Sequence, residues 1–193
     1  MVHTQYEYHE VHGSSVKALR RDMSAKAIKG DPDGGTYDAN TAWYDHWNYK
    51  TWSTNYDCRI IAVKTSVDVT FKFPKWSPSP NAPLELKNEW NRYMKCLHTH
   101  EDGHKAHAVK AAQEIERALM AMGPQVNCDV LNSEANALGK SIIARYNQED
   151  VDYDRQTQHG KTQGAAFPKN YRLKKGKILK QVKVNNKRND VES

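Results

Sequence analysis

Residues 81–122 hold the longest helical pattern in the chain, and the rest of the fold has to be arranged around them. At 100° per residue, Leu86, Trp90, Met94, Leu97, Ala108, Ala112, Ile115, Leu119 and Met122 share one sector roughly 80° wide. The pattern predicts a single amphipathic helix with Asn81 as its N-cap, Pro83 in its first turn and Gly123-Pro124 as its stop. A second helix is expected from about Asp129 through Leu131, Leu138, Ile142 and Tyr146, running on towards Tyr153.

Before the long helix the chain reads differently. Residues from about Gln5 to Val11 alternate like a strand, with Tyr6 and Tyr8 on one face, and Gly13-Ser14-Ser15 offers the start of a short helix through Val16, Leu19 and Met23. The run Lys29-Gly30-Asp31-Pro32-Asp33-Gly34-Gly35 is dense turn chemistry. Thr41 to Trp52 and Cys58 to Phe73, rich in aromatic and β-branched residues, are two further strands. Pro74 and Ser77-Pro78-Ser79-Pro80 should end that region as an extended linker. The expectation is an α+β fold, a small antiparallel sheet packed on two long helices.

With 193 residues, one core is expected, as a domain over 1–168. No stretch approaches the ~20 apolar residues of a membrane span. The net charge of +6 would raise the question of nucleic acid, but Lys169 to Ser193 alone carries nine Lys/Arg against Asp190 and Glu192, and the remainder is almost neutral. Residues 169–193 therefore read as a solvated basic tail rather than a nucleic-acid arm. Cys58, Cys96 and Cys128 lack C-x-x-C spacing, which argues against a cysteine zinc site; one disulfide with a thiol left over and three thiols both fit. Met1-Val2-His3-Thr4-Gln5 has none of the regions of a signal peptide, as in a cytoplasmic chain or one whose leader has been removed.

The chemistry is concentrated in His100-Glu101-Asp102-Gly103-His104, an H-E-x-x-H run inside the long helix. Two His four apart stand one above the other and can take neighbouring corners of a zinc tetrahedron, while Glu101 reaches water beside the ion as general base. Glu101 and His104 fall in the same sector as Leu97, Ala108 and Ile115, with His100 at its edge. A solvated face would put such groups on the opposite side, and burying them costs several kcal/mol unless they are paired or metal-bound. Gly103 costs ~1 kcal/mol inside a helix, in return for room for substrate or for close helix packing. His98 and His107 read as surface residues or as neighbours of the ligands.

A third ligand must come from elsewhere, because His104-Lys105-Ala106-His107-Ala108-Val109-Lys110 lacks the Gly and His of a metzincin. His159, in Tyr153-Asp154-Arg155-Gln156-Thr157-Gln158-His159-Gly160, is the preferred donor, with Gly160 allowing a sharp turn beside the metal; Asp154 and Glu134 are the alternatives. Tyr153 is a candidate oxyanion donor, against the simpler reading of a packed aromatic.

Several stretches together resemble a bacterial family of predicted secreted zinc-dependent proteases classed as a domain of unknown function. They are Tyr6-Glu7-Tyr8, Gly35-Thr36-Tyr37-Asp38-Ala39-Asn40-Thr41-Ala42-Trp43, Trp47, Tyr49, Cys58 heading a Val-rich strand, Phe73-Pro74-Lys75-Trp76, the His100–His104 run and Tyr153–Gly160. The resemblance spans about Tyr6 to Gly164 and implies a zincin-like fold, a periplasmic or secreted location and proteolysis. The reading is a zinc metallopeptidase with one Zn2+ per chain, acting on a peptide or protein. A zinc amidase acting on cell-wall peptides, and a non-catalytic zinc-stabilised binding module, are the alternatives.

Overall fold

The computed structural model describes residues 1–29 and 35–168. The expected turn at 30–34 and the basic tail at 169–193 lie outside the described residues. The elements are β1 (Val2–Val11), α1 (Val16–Ala25), β2 (Ile28–Lys29), β3 (Thr36–Tyr37), β4 (Asn40–Ser53), β5 (Cys58–Trp76), α2 (Leu84–Met120) and α3 (Cys128–Thr157), followed by a 3-10 turn at Lys161–Gln163. The fold is α+β, with a third, short helix beside the two long ones.

β5 is the centre of a three-stranded sheet ordered β1-β5-β4. β4 and β5 form the expected antiparallel pair. β1 instead joins β5 in parallel, Val2 opposite Val67 through Val11 opposite Trp76, so the sheet is mixed rather than wholly antiparallel. The chain returns to the sheet at β4, antiparallel to β1 and on the far side of β5, and the β4–β5 hairpin reverses it again; nothing in a strand's own alternation specifies its neighbour's direction. Pro74 also lies within β5 instead of ending it. β4 begins at Asn40, opposite Lys72, so at Pro74 the strand has a partner on one side only and a missing N–H can face the open side.

One face of this sheet carries Val67, Val69, Phe71 and Phe73 from β5, all buried against α2. The opposite face is polar over much of its length, with Asp68 joined to His3 of β1 and His46 of β4. α1 starts where the serines predicted, Ser15 accepting from the Ala18 N–H, and buries Leu19 and Met23. α2 starts later than expected: Pro83 is the N-cap, with no side-chain bond to the first turn, and Asn81 stands outside the helix. α3 is capped by Asn127, whose side chain accepts from the Val130 N–H, and extends past Tyr153 to Thr157.

The core divides in two. One cluster joins the sheet, α1 and α2 as far as Ala112; the other joins α2 from Ala111 to Leu119 with α3 and the start of β5, and Trp43 packs against both. Two close approaches clamp α3. The Cys58–Cys128 disulfide ties its first residue to β5, and the ring of Trp47 lies where a side chain on Gly139 would be. Cys96 is the free thiol. Among the described residues no helix is long and apolar enough to cross a membrane.

Candidate metal centre

α2 buries Tyr93, Leu97, His100, Glu101, His104, Ala108 and Ala112 along one stripe, so the helix that carries the H-E-x-x-H run also makes the core. His100 is 3 % exposed, Glu101 4 % and His104 8 %, so none of the three can be a solvated side chain. α3 crosses this stripe with Asp150, Tyr153 and Asp154, and its length decides which of its residues arrive. Because it stays helical to Thr157, Asp150 and Asp154 lie one turn apart on the face turned to α2.

Asp154 Oδ1 stands 3.1 Å from His100 Nε2 and 3.3 Å from His104 Nε2. His100, His104 and Asp154 form the group of described residues whose donor atoms could hold a metal ion. The other ring nitrogens are already engaged. His100 Nδ1 lies 3.0 Å from Gln163 Oε1, and His104 Nδ1 3.0 Å from Asp150 Oδ1. Both partners are acceptors, so each Nδ1 carries a proton and each Nε2 is the ring nitrogen turned towards the Asp154 carboxylate. Asp154 Oδ1 is buried and, among the described residues, has no partner of hydrogen-bond geometry. Donor atoms this close need a cation among them, either an imidazole proton or a metal ion that displaces it. Donors about 2.0 Å from one tetrahedral ion would lie roughly 3.3 Å apart, close to the two separations from Asp154 Oδ1, and all three donor atoms lie within 4.8 Å of one another.

The electrostatics agree. Burial opposes charge on Asp154, but His100, His104 and His159 outweigh it and hold the carboxyl well below its usual range. Burial also opposes a proton on His104, yet Asp150 and Asp154 raise its pKa to about 10. The pocket is built for a positive charge. Asp150 completes it from behind: Oδ1 is also 2.5 Å from His107 Nδ1, and Oδ2 accepts from Trp43 Nε1 at 2.6 Å.

Glu101 lies on α2 next to His100 and three residues before His104. Burial pushes its carboxyl up, against the Thr41 hydroxyl, which donates to Oε2 at 2.6 Å. Tyr153 stacks on His100, with ring centroids 5.1 Å apart at 12°, and stands edge-on to His104. Its hydroxyl donates to the His100 carbonyl at 3.1 Å and accepts from Gln163 Nε2 at 3.0 Å. The phenol is therefore engaged in holding His100. A Cβ on Gly103 would overlap the same phenol, so close helix packing, not space for substrate, accounts for this glycine.

His159, the preferred third donor in the sequence, stands outside the three-residue group. Its Nδ1 lies 3.5 Å from Asp154 Oδ1 and its ring packs on Tyr37 at 4.2 Å. The reason is where the helix ends: Gln158 and His159 take left-handed backbone at φ 51° and 53°, which turns the chain away after Asp154 has pointed in. Gly160 continues the turn at φ 77° against the His100 ring, where a Cβ would come within 2.9 Å of Cγ. Glu134 is exposed on α3 and belongs to no such group. His98 packs on Phe73, ring centroids 3.9 Å apart.

Asp150 and Gln163 were not singled out from the sequence, and Thr41 and Trp43 entered only as part of a strand and of the stretch Gly35 to Trp43 that carries the family resemblance, with no role at the site. Asp150 left a signal of spacing, standing four residues before Asp154 on a helix that had only to be extended. Comparison with curated proteins gives no match, and comparison with solved structures gives none either. Residues 6–160 match a family model described as a bacterial protein of unknown function (DUF922), and the chain belongs to that family.

Proposed function

We propose that the protein is a zinc-dependent peptidase, with the ion held by His100, His104 and Asp154 and with Glu101 as general base. The observation that carries this reading is the convergence of two imidazole Nε2 atoms on one buried carboxylate oxygen, beside a buried glutamate. Asp154 takes the place that the sequence had offered to His159. Zinc in such a site supplies Lewis acidity, polarising a carbonyl and acidifying water.

The chain's own groups do the rest. Glu101 is bound at Oε2 and among the described residues has no hydrogen bond at Oε1, which is the atom left to take a proton from water and later pass it to the leaving amine. Asp150 and Gln163 hold the two imidazoles in the tautomer that exposes Nε2. β4 is an edge strand among the described residues, and Thr41 near its start touches Glu101, so an extended peptide adding to that edge would run beside the base. The Cys58–Cys128 disulfide favours an oxidising compartment, periplasmic or extracellular.

The test is elemental analysis of the purified protein followed by digestion of a quenched peptide library. One zinc per chain is expected, with hydrolysis that Glu101→Gln lowers by roughly 10²–10⁴-fold while keeping the metal. Absence of bound metal under zinc-replete conditions, or a Glu101→Gln variant as active as the parent, sinks the proposal.

A further inference from the structure

A glutamate used as a base has three rotatable bonds and two equivalent oxygens, so something must decide which oxygen faces the reacting water. We propose that Thr41 is the positioning residue for Glu101, an inference that rests on the reading of Glu101 as base. The Thr41 hydroxyl donates to Oε2 at 2.6 Å, a length suited to a hydroxyl on an ionised carboxylate, and lies 3.4 Å from the Glu101 carbonyl oxygen. No other hydrogen bond among the described residues reaches that carboxylate. Thr41 is β-branched, with few χ1 rotamers open to it, and is paired in the sheet with the buried Phe71.

What makes this a device is a second tie between the same strand and the same helix. Just before β4, Asp38 accepts two bonds from Arg20, both 2.6 Å, and a third at 2.7 Å from the hydroxyl of Tyr93. Tyr93 is fully buried on α2, eight residues before Glu101. Eight helical residues rise about 12 Å. From Asp38, at a bend, to Thr41 in β4 the chain advances three residues and can cover at most about 10 Å. The two spans are comparable, so the start of β4 runs alongside α2 pinned at both ends, and its lower pin is the hydroxyl on the base. Oε2 is thereby held and Oε1 is presented.

The experiment compares Thr41→Val, which keeps the shape and removes the donor, with Thr41→Ser, which keeps the donor. Crystal structures of both zinc-loaded variants are the first readout, and hydrolysis of the peptide library is the second. In Thr41→Val the metal content is expected to stay at the parental level, the Glu101 carboxylate to leave its parental position or split between rotamers, and kcat to fall about 10–100-fold with KM within about twofold. Thr41→Ser should restore both the carboxylate position and kcat. A Thr41→Val structure with Glu101 in its parental position overturns the proposal, as does an unchanged kcat. If Thr41→Val does not fold, Thr41→Ala against Thr41→Ser carries the same comparison, and equal Glu101 positions in those two overturn it. Should the parent hydrolyse nothing, the peptidase reading fails, whereas the position of the Glu101 carboxylate still decides the role of Thr41.

Discussion

Asp45 lies on β4 between Trp43 and Trp47, opposite the buried Val67, and among the described residues neither of its oxygens has a hydrogen-bond partner. Burial pushes its pKa from 3.8 to about 7, with His46 offsetting part of the effect. A carboxyl whose folded pKa is raised is at no disadvantage below about pH 4, where it is protonated in both states. As pH rises towards 7 the unfolded chain ionises first, and stability is lost until the folded carboxyl ionises too. Converted in full at about 1.4 kcal/mol per pH unit, the shift would cost roughly 4 kcal/mol above pH 7. β4 is an edge strand and solvent screens part of this, so we expect about 2 kcal/mol. Asp45→Asn keeps the shape and removes the charge. In thermal melts with a chelator present, the variant should match the parent within about 1 °C at pH 4 and exceed it by about 4–8 °C at pH 8. A difference between the two proteins that does not change with pH would refute the reasoning, because the effect would then come from shape and not from ionisation.

Asp154→Ala should lose the metal outright, whereas His159→Ala should bind it within about tenfold of the parent, as expected of a neighbour rather than a ligand; zinc titration of the two side by side decides between them, and loss of metal in His159→Ala alone would reverse the assignment. Since His104 keeps a proton up to about pH 10 when no metal competes, binding must displace that proton. Apparent zinc affinity should therefore rise about tenfold per pH unit between pH 6 and 8, and a flat profile would contradict it. Gly103→Ala places a methyl group in the Tyr153 ring, which is stacked on His100. Overpacking of about 1–3 kcal/mol should outweigh the ~1 kcal/mol gained in helix propensity, giving a lower melting temperature and weaker zinc binding; a variant as stable as the parent would count against the packing role of this glycine.

Local pattern was enough for the elements that carry the first half of the site. The apolar stripe of α2, the four-residue spacing of His100 and His104, and the position of Glu101 on the buried side all follow from 3.6 residues per turn, and the structure buries these residues as that geometry requires. The Ser15 cap, the start of α3 and the β4–β5 pair were equally local. The direction of β1 was not, because pairing depends on the route of the chain between strands. Nor was the far side of the metal centre. That side depends on α3 holding its helix through Asp154 and ending at Gln158 without a glycine at its C-cap, and on the angle at which it crosses α2. The crossing is set by contacts between residues distant in sequence: Cys58 with Cys128, Trp47 on Gly139, and Tyr153 on Gly103. Periodicity shows which face of a helix turns inward, but only tertiary packing decides what that face meets, and so Asp154 and Asp150, with Thr41 on the sheet, came to surround His100, Glu101 and His104.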